Sequence, residues 1–201
     1  MSNDYTRKAI VEFLNESPSI AGKTVLDFGC GDGWGSLELF KHGALVTAFD
    51  TDVNAGGLLG DSRIKIFRDK ASVLSRNFDI VFCHHVLEHI YNPLEFLRDL
   101  REMMRDDSEL WLSVPNFAVN YTYCEGHIMP YNMPVLIEHL RMAGFDVANG
   151  SYRVTDLSHG HLRVRIKKYN GAGTSAYPEP MKTAMKKWQR VESSILKLVN
   201  W

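Results

Sequence analysis

Short runs of apolar residues alternate along the chain with segments whose apolar positions recur at helical spacing. Five buried strands are predicted from the runs at 24–28, 45–49, 64–67, 78–83 and 110–114. Helices are predicted over 5–14, 34–41, 93–104 and 133–143, the third opening with a helix-start signal, Asn92 followed by Pro93. Strands that alternate with helices predict βαβ units, and therefore a parallel sheet with helices on both faces.

The last two strand-like runs break this alternation. They cover residues 152–154 and 162–168, and only residues 155–161 separate them. Because a parallel crossover needs a dozen or more residues, this pair is predicted to be antiparallel. The sequence therefore predicts an α/β fold whose parallel sheet ends in an antiparallel hairpin.

A glycine-rich stretch near the end of the chain predicts a domain boundary. Residues 171–175 read GAGTS and predict a linker after a domain of residues 1–170, so that residues 171–201 form a separate tail. Apolar residues recur at steps of three and four over 181–198, which predicts an amphipathic helix. We expect this helix to dock on the domain's own core; a homodimer contact and a membrane-surface position are the alternatives.

Composition places the chain among ordinary globular proteins. Of its 201 residues, 45% are hydrophobic and 23% charged, and the net charge of −1 speaks against a dedicated nucleic-acid binder. No apolar run reaches the roughly 18 residues of a membrane span. Cys30, Cys83 and Cys124 form no CxxC pair, so neither a disulfide framework nor a cysteine zinc site is predicted. With no export signal visible at the N-terminus, a cytoplasmic location is expected.

A glycine-rich turn follows the first predicted strand. Residues 25–35 read VLDFGCGDGWG, and glycines such as Gly29 and Gly31 let the backbone approach a ligand beside the start of a helix. The G-x-G-x-x-G spacing of dinucleotide binders is absent in either register, which disfavours a nicotinamide oxidoreductase. Asp27 precedes the turn, where its carboxylate would repel a phosphate and suit an ammonium group.

Carboxylates also follow the next two predicted strands. Asp50 lies 21 residues after Gly29, the distance at which an acidic residue binds ribose hydroxyls. Asp69 follows the third strand, where a carboxylate could accept from an adenine amino group. With Asp27, these acids describe a ligand that has a ribose, an adenine and a cationic amino-acid end but no phosphate. S-adenosylmethionine fits this description, although each acid taken alone is compatible with an ordinary loop or capping residue.

Five segments together indicate a family. They read VLDFGCGDGWG (25–35), VTAFD (46–50), FDIVFCHHVLEHI (78–90), ELWLSVPN (109–116) and GHIMPYNMPVLIEHLRMAGF (126–145). In these segments the chain resembles the class I S-adenosylmethionine-dependent methyltransferases, of the small type-11 or type-23 kind. The resemblance covers roughly residues 20–168 and implies a Rossmann-like seven-stranded sheet of order 3-2-1-4-5-7-6, with strand 7 antiparallel and helices on both faces.

The resemblance also implies where S-adenosylmethionine would lie. Its methionine part would contact Gly29 and Gly31, its ribose Asp50, and its adenine Asp69 and Lys70. The sulfonium would lie near His84 at the end of the fourth strand. The predicted cofactor-binding set is Asp27, Gly29, Cys30, Gly31, Asp50, Thr51, Asp69, Lys70 and His84.

The segment after the fourth predicted strand reads CHHVLEH, not the D/N-P-P-Y/F of enzymes that methylate amino groups of flipped bases. DNA is therefore not an expected substrate. Methyl transfer from a sulfonium depends mainly on alignment, and a base helps only where the acceptor loses a proton. His85, His89 and His127 are the candidate bases.

The same histidines leave metal binding open as an alternative. His85-x-x-Glu88-His89 with the later His127 is similar to the E-x-x-E-H…H set of small-RNA 3′-terminal 2′-O-methyltransferases, which hold a divalent cation. Here His85 replaces the first glutamate, so no metal ligands are assigned from the sequence. A general base, a metal site and a purely structural role remain open for these residues.

The last predicted strand carries basic residues on one face. His161, Arg163, Arg165 and Lys167 alternate with apolar residues. We expect them to form a solvated sheet face, and a patch that attracts an anionic acceptor is the alternative.

The leading hypothesis is an S-adenosylmethionine-dependent methyltransferase that acts on an oxygen or nitrogen atom of a small-molecule acceptor. A metal-assisted RNA ribose 2′-O-methyltransferase and a non-catalytic S-adenosylmethionine-binding partner protein are the alternatives.

Overall fold

The computed structural model describes residues 4–60, 63–117, 126–154, 160–179 and 182. Its strands are β1 (Thr24–Phe28), β2 (Leu45–Phe49), β3 (Lys65–Phe67), β4 (Phe78–His84), β5 (Met104–Pro115), β6 (Ser151–Val154) and β7 (His161–Lys167). Its helices are α1 (Asp4–Asn15), α2 (Trp34–Lys41), α3 (Ala71–Leu74), α4 (Pro93–Glu102) and α5 (Met133–Met142). A single 3₁₀ turn covers Leu87–His89.

The strands form one sheet of order β3-β2-β1-β4-β5-β7-β6. The pairs β3–β2, β2–β1, β1–β4 and β4–β5 are parallel, whereas β7 runs antiparallel to both β5 and β6. The predicted strand order and the antiparallel hairpin are therefore confirmed. Because parallel strands end at one edge of a sheet, the residues that follow β1, β2 and β4 meet there.

Helices cover both faces of the sheet, as predicted, because successive strand residues point to opposite sides. Val25 packs in a cluster with Phe13 of α1 and Leu39 of α2. Its neighbour Leu26 belongs to the larger cluster on the other face, which includes Leu97 of α4 and residues of α5. The sheet is thus sandwiched between α1 and α2 on one side and α4 and α5 on the other.

The element bounds agree with the prediction except around β5. Met104 already pairs with Phe78, and the register then shifts before Ile80 pairs with Glu109. This irregularity lengthens β5 by six residues relative to the predicted start at residue 110, and α4 ends at Glu102. The short α3 was not predicted, since four residues give too little periodicity to recognise.

The expected solvated basic face of the last strand is wrong at His161 and Arg163, which are buried, whereas Arg165 is partly exposed and Lys167 is exposed. Arg163 is only 2% exposed, and its Nη2 lies 2.7 Å from Glu12 Oε2. A second carboxylate, that of Glu16, lies 3.7 Å from Nη1. Burying a guanidinium is costly unless a carboxylate pairs with it, and Glu12 of α1 and Glu16, which directly follows α1, supply the two acids. His161 is also buried, so the strand offers no open basic patch at these two positions.

The segment predicted as a linker contacts the rest of the domain. Ser175 is buried and its hydroxyl donates to Asp146 Oδ1 at 3.0 Å, while the Tyr177 hydroxyl donates to Glu138 Oε2 at 2.6 Å. Nearly all of the predicted amphipathic helix over 181–198, and with it the homodimer alternative, lies outside the described residues. Within the described ranges, no helix has the length and apolar character needed to cross a bilayer.

Candidate active site

A cavity of about 580 Å³ opens at the edge of the sheet where β1, β2 and β4 end. This volume is within the range of small-molecule sites. The cavity is lined by Phe28, Gly29, Gly31, Phe49, Asp50, Thr51, Lys70, His85, Val86, His89, Ile90, Asn92, Glu95, Phe96 and Asp99. The sheet edge and the first turns of α4 thus form its walls.

The glycine turn after β1 forms one side of the cavity. The backbone N–H groups of Gly29 and Cys30 both donate to the carbonyl of Phe49, at 2.8 and 3.0 Å, which ties the turn to β2. Gly29 has φ 81°, and a Cβ built on it would lie 2.2 Å from Val86 Cγ2. Only glycine therefore allows this close approach between the turn and the chain that follows β4.

Asp50 holds the same turn from the end of β2. Its Oδ2 accepts from the backbone N–H of Gly31 and its Oδ1 from that of Asp52, both at 2.9 Å. A carboxylate has about four acceptor positions, so about two remain for a ligand. Because Asp50 lines the cavity, it combines a structural bond to the turn with acceptor capacity toward a bound molecule.

The other predicted residues of this turn divide into lining and supporting positions. Thr51 lines the cavity, whereas the side chains of Asp27 and Cys30 are buried behind the turn. Asp27 Oδ2 accepts from the Ser36 hydroxyl at 2.5 Å, and burial raises the pKa of Asp27 to about 6. Burial also raises the pKa of the Cys30 thiol. Asp27 therefore fixes the start of α2 within the protein, and its predicted contact with a cationic ligand stays a prediction.

Asp69 and Lys70, the predicted adenine contacts, have different surroundings. Asp69 is exposed and caps α3, with Oδ2 accepting from the Ser72 hydroxyl at 2.9 Å, and this bond lowers the pKa of Asp69. Lys70 lines the cavity and forms an ion pair with Asp99 of α4. The pair links the end of β3 to α4 across the cavity, and only Lys70 of the two predicted residues contributes to the lining.

His84 and His85 stack on each other at the end of β4, with ring centroids 4.2 Å apart. His84 is buried, and neither of its ring nitrogens has a hydrogen-bond partner in the described part of the chain. Burial lowers the pKa of His84 to about 3, so its imidazole is neutral. Its ring stacks on that of His85 and is not among the cavity-lining groups, and its position near a sulfonium stays a prediction.

His85 lines the cavity and has φ 55°, in the left-handed region that non-glycine residues rarely adopt. Its Nε2 lies 2.7 Å from Nδ1 of His161 on β7, so one of these nitrogens donates to the other. Burial and the surrounding imidazoles, including His84 and His161, hold the pKa of His85 well below its usual range. The geometry thus presents a neutral imidazole to the cavity, oriented by a second histidine.

Glu88, His89 and His127 form a second cluster next to this pair. Glu88 is 1% exposed, and its Oε1 lies 4.0 Å from both His85 Nδ1 and His89 Nε2. Burial raises the pKa of Glu88 to about 8. The rings of His89 and His127 have centroids 4.9 Å apart. All candidate histidines named from the sequence are therefore near one another, with Glu88 between them.

Sequence reasoning missed the contribution of α4 and of the aromatic residues. Phe28 lies against Phe49 and Phe96, with centroid distances of 4.5 and 5.3 Å, and all three line the cavity. Glu95 and Asp99 add carboxylates from the first turns of α4. The Asn92–Pro93 helix start was recognised, but nothing local in the sequence shows that this helix end faces the glycine turn.

Comparison with known proteins identifies relatives for this arrangement. Residues 3–164, most of the chain, match the family described as a methyltransferase domain. Ubiquinone biosynthesis O-methyltransferases from Pseudomonas paraeruginosa and Xanthomonas euvesicatoria pv. vesicatoria are each 30% identical over 116 residues. The match is 53% of this chain and 50% and 48% of those proteins, so the chain spans about half the length of the curated relatives it matches.

Solved structures share the fold at lower identity. A SAM-dependent methyltransferase from Archaeoglobus fulgidus has a TM-score of 0.67 and 16% identity, over 81% of this chain and 94% of that one. The 1,6-didemethyltoxoflavin-N1-methyltransferase of Burkholderia thailandensis, solved with 1,6-didemethyltoxoflavin and S-adenosylhomocysteine, has a TM-score of 0.65 and 19% identity, over 83% and 79%. The family resemblance inferred from the sequence is confirmed: the chain belongs to the methyltransferase domain family.

Proposed function

We propose that this chain is an S-adenosylmethionine-dependent methyltransferase that acts on an oxygen or nitrogen atom of a small-molecule acceptor. The observation that carries the proposal is the carboxylate of Asp50, which is fixed to the glycine turn and faces the cavity. S-adenosylmethionine, when bound, supplies a methyl group on a positively charged sulfur.

The residues around the cavity fit this cofactor. The remaining acceptor positions of Asp50 suit ribose hydroxyls. Carboxylates of Asp50, Glu95 and Asp99 outnumber the one lining ammonium group, Lys70, which favours a cationic ligand without phosphate. A Cβ on Gly31 would meet no atom within 4 Å, so a ligand can approach the backbone there.

The same charges favour a small-molecule acceptor over RNA. A polyanionic strand would need several Lys or Arg side chains to neutralise its phosphates, and the cavity lining provides Lys70 alone, already paired with Asp99. Transfer to oxygen is supported by the names of the 30%-identical relatives, which are O-methyltransferases. The Burkholderia structure carries an N-methyltransferase name, so nitrogen stays within the proposal.

We assign proton removal from the acceptor to His85. S-adenosylmethionine would supply the methyl group to the acceptor atom, and a ring nitrogen of His85 would take up the proton that the acceptor loses. The imidazole lines the cavity, and its bond to His161 fixes the ring plane. The principal contribution of the chain is still to hold the acceptor in line with the methyl group.

The cofactor assignment is tested by calorimetry with S-adenosylhomocysteine. Asp50→Asn is expected to weaken binding on the order of 10- to 100-fold, because hydrogen bonds to a charged group contribute about 1.5–3 kcal/mol. Asp52→Asn is the matched control, since this exposed carboxylate caps only its own loop through the N–H of Asn54. It is expected to bind S-adenosylhomocysteine as the wild type does, and NAD should not bind. Unchanged affinity in Asp50→Asn would remove the ribose assignment.

Catalysis is tested by transfer of radiolabelled methyl groups to hydroxylated and aminated small molecules from cell extracts. His85→Asn suits this test because asparagine tolerates the left-handed backbone but cannot accept the proton. We expect this variant to bind S-adenosylhomocysteine normally and to lose turnover by about 10²- to 10⁴-fold. Cofactor binding without methyl transfer to any acceptor would instead favour a non-catalytic binding protein.

A further inference from the structure

A second cavity lies at the edge of the sheet opposite the candidate active site. It has a volume of about 410 Å³ and is lined by Thr24, Phe40, Leu45, Val46, Thr47, Arg63, Ile64, Arg76, Asn77 and Phe78. Thr24, Leu45 and Phe78 are the first residues of β1, β2 and β4, and Ile64 directly precedes β3. Because these strands are parallel, their starts meet at one edge, away from the strand ends that form the active site. We call this cavity the strand-start groove.

Apolar side chains are exposed in the strand-start groove. Leu45 is 60% exposed although β2 is an inner strand of the sheet, and Phe40 near the end of α2 is 42% exposed. Phe40 is the only lining residue that belongs to a described helix, so the described helices leave this part of the sheet uncovered. Exposed apolar surface in a concave site is typical of a place where a ligand binds.

The charged lining groups of the groove are both cations. The guanidinium of Arg76 is oriented by its neighbours, since its Nε donates to the Ser72 carbonyl at 3.1 Å and its Cζ lies 4.6 Å from the centroid of the Phe67 ring. Arg63 is exposed, and no carboxylate is among the lining residues that the structure describes. An oriented guanidinium suits an anionic group, because a carboxylate can accept two of its N–H bonds at once.

The shape of the groove favours a small elongated ligand over a protein partner. The groove crosses the starts of β3, β2, β1 and β4, a distance of about 14 Å at about 4.8 Å between neighbouring strands. Its volume is within the range of small-molecule sites. Two exposed apolar side chains, Phe40 and Leu45, fall far short of the roughly 800 Å² that each partner contributes to a stable protein–protein interface.

We propose that the strand-start groove binds a medium-chain fatty acid. Its hydrocarbon chain would lie along Leu45 and Phe40, and its carboxylate would pair with Arg76 and Arg63. Such a ligand covers the exposed apolar side chains and supplies the anion that complements the two guanidinium groups. The inference goes beyond the proposed function, because the groove and the candidate active site share no lining residue.

Binding is tested on the full chain by calorimetry with octanoate, decanoate and decanol, below the concentrations at which they form micelles. We expect one decanoate site per chain, with an affinity that saturating S-adenosylhomocysteine leaves unchanged. Each buried CH₂ group changes an affinity by up to about 4-fold, so decanoate should bind roughly 10-fold more tightly than octanoate. Decanol cannot form the ion pair and should bind at least about 10-fold more weakly than decanoate.

Two variants test the charged and the apolar part of the groove. Arg76→Gln should weaken decanoate binding by about 10-fold or more, and Arg98→Gln, at an exposed position on α4 outside the groove, is its matched control. Leu45→Glu places a carboxylate on the exposed floor and should abolish detectable binding. Val154→Glu, at a strand position that is 52% exposed and outside the groove, is the second control. Both controls should bind decanoate as the wild type does.

The outcomes decide between the fatty acid and other occupants. The proposal is overturned if decanoate does not bind, or if Arg76→Gln and Leu45→Glu both leave its binding unchanged. Equal affinities for decanol and decanoate would show that the arginines do not bind the carboxylate, which also overturns it. Sedimentation of the full chain tests a second copy as the occupant, since self-association that Leu45→Glu abolishes would assign the groove to a dimer contact instead. Decanoate binding by a monomeric chain that is lost in both variants supports the site.

Discussion

The contact between Gly29 and Val86 allows a sharp test of how the cavity is built. Gly29→Ala would place a methyl group 2.2 Å from Val86 Cγ2, on a backbone with φ 81°. Gly31→Ala is the matched control in the same turn, because its φ is 52° but its new methyl group would meet no atom within 4 Å. The two variants share the backbone penalty and differ in the steric clash.

The structure gives the expected size of each effect. An alanine in the left-handed region costs about 1–2 kcal/mol, which applies to both variants. Overpacking adds about 1–3 kcal/mol for Gly29→Ala alone. We therefore expect Gly31→Ala to lower the free energy of unfolding by about 1–2 kcal/mol and Gly29→Ala by about 2–5 kcal/mol.

Urea unfolding of the two single variants, Val86→Ala and the Gly29→Ala/Val86→Ala double variant measures the clash directly. Val86→Ala removes the methyl group that the new Cβ would strike, so it should restore part of the stability of Gly29→Ala. The double-mutant cycle should show a coupling of at least about 1 kcal/mol. Additive effects, or equal losses for Gly29→Ala and Gly31→Ala, would show that the close approach does not constrain this turn.

Three further measurements test the supports around the cavity. Since burial raises the folded-state pKa of Asp27 from 3.8 to about 6, the folded protein binds the extra proton. The wild type should therefore lose about 2 kcal/mol relative to Asp27→Asn as pH rises from about 4 to 7, in urea unfolding at both pH values. Glu12→Ala should lower the free energy of unfolding by about 1–3 kcal/mol, because it leaves the buried Arg163 guanidinium short of a carboxylate. Arg163→Met removes the buried charge itself and should cost less, so thermal unfolding should find Glu12→Ala the less stable variant. Asn92→Ala removes the acceptor of the Glu95 N–H at the start of α4 and should cost about 1 kcal/mol, whereas Asn92→Ser should keep most of that stability.

The fold was predictable because local and long-range signals agree. The bounds of α2, β1 and β2 match the prediction residue for residue, since a glycine or an aspartate follows each element within two residues, where the apolar pattern stops. The antiparallel β7 followed from the short connection before it. The early start of β5 could not be predicted, because Met104 pairs with Phe78 through a register shift that no local pattern encodes.

The site was predictable only where its chemistry lies next to a strand end. Asp50 and the glycine turn line the cavity, and their position there was predictable because they directly follow two neighbouring parallel strands. The bond between His85 and His161 joins residues 76 positions apart, so no spacing rule indicates it. Arg163 was misjudged for the same reason: its basic residue type suggested solvent, and only the fold shows that α1 lies above it.

Because the buried Arg163 guanidinium pairs with Glu12 and Glu16, the stability of the sheet depends on the segment up to Glu16. A shortened form beginning at β1 would retain every strand. It would leave the buried Arg163 guanidinium without its two carboxylates and would expose the indole of Trp111, against which Phe13 packs. Proteolytic removal of the residues before β1 would thus remove no cavity-lining group, yet it would destabilise the sheet at whose edge the cavity lies. Helix α1 therefore stabilises β7, a strand that lies about 150 residues later in the sequence.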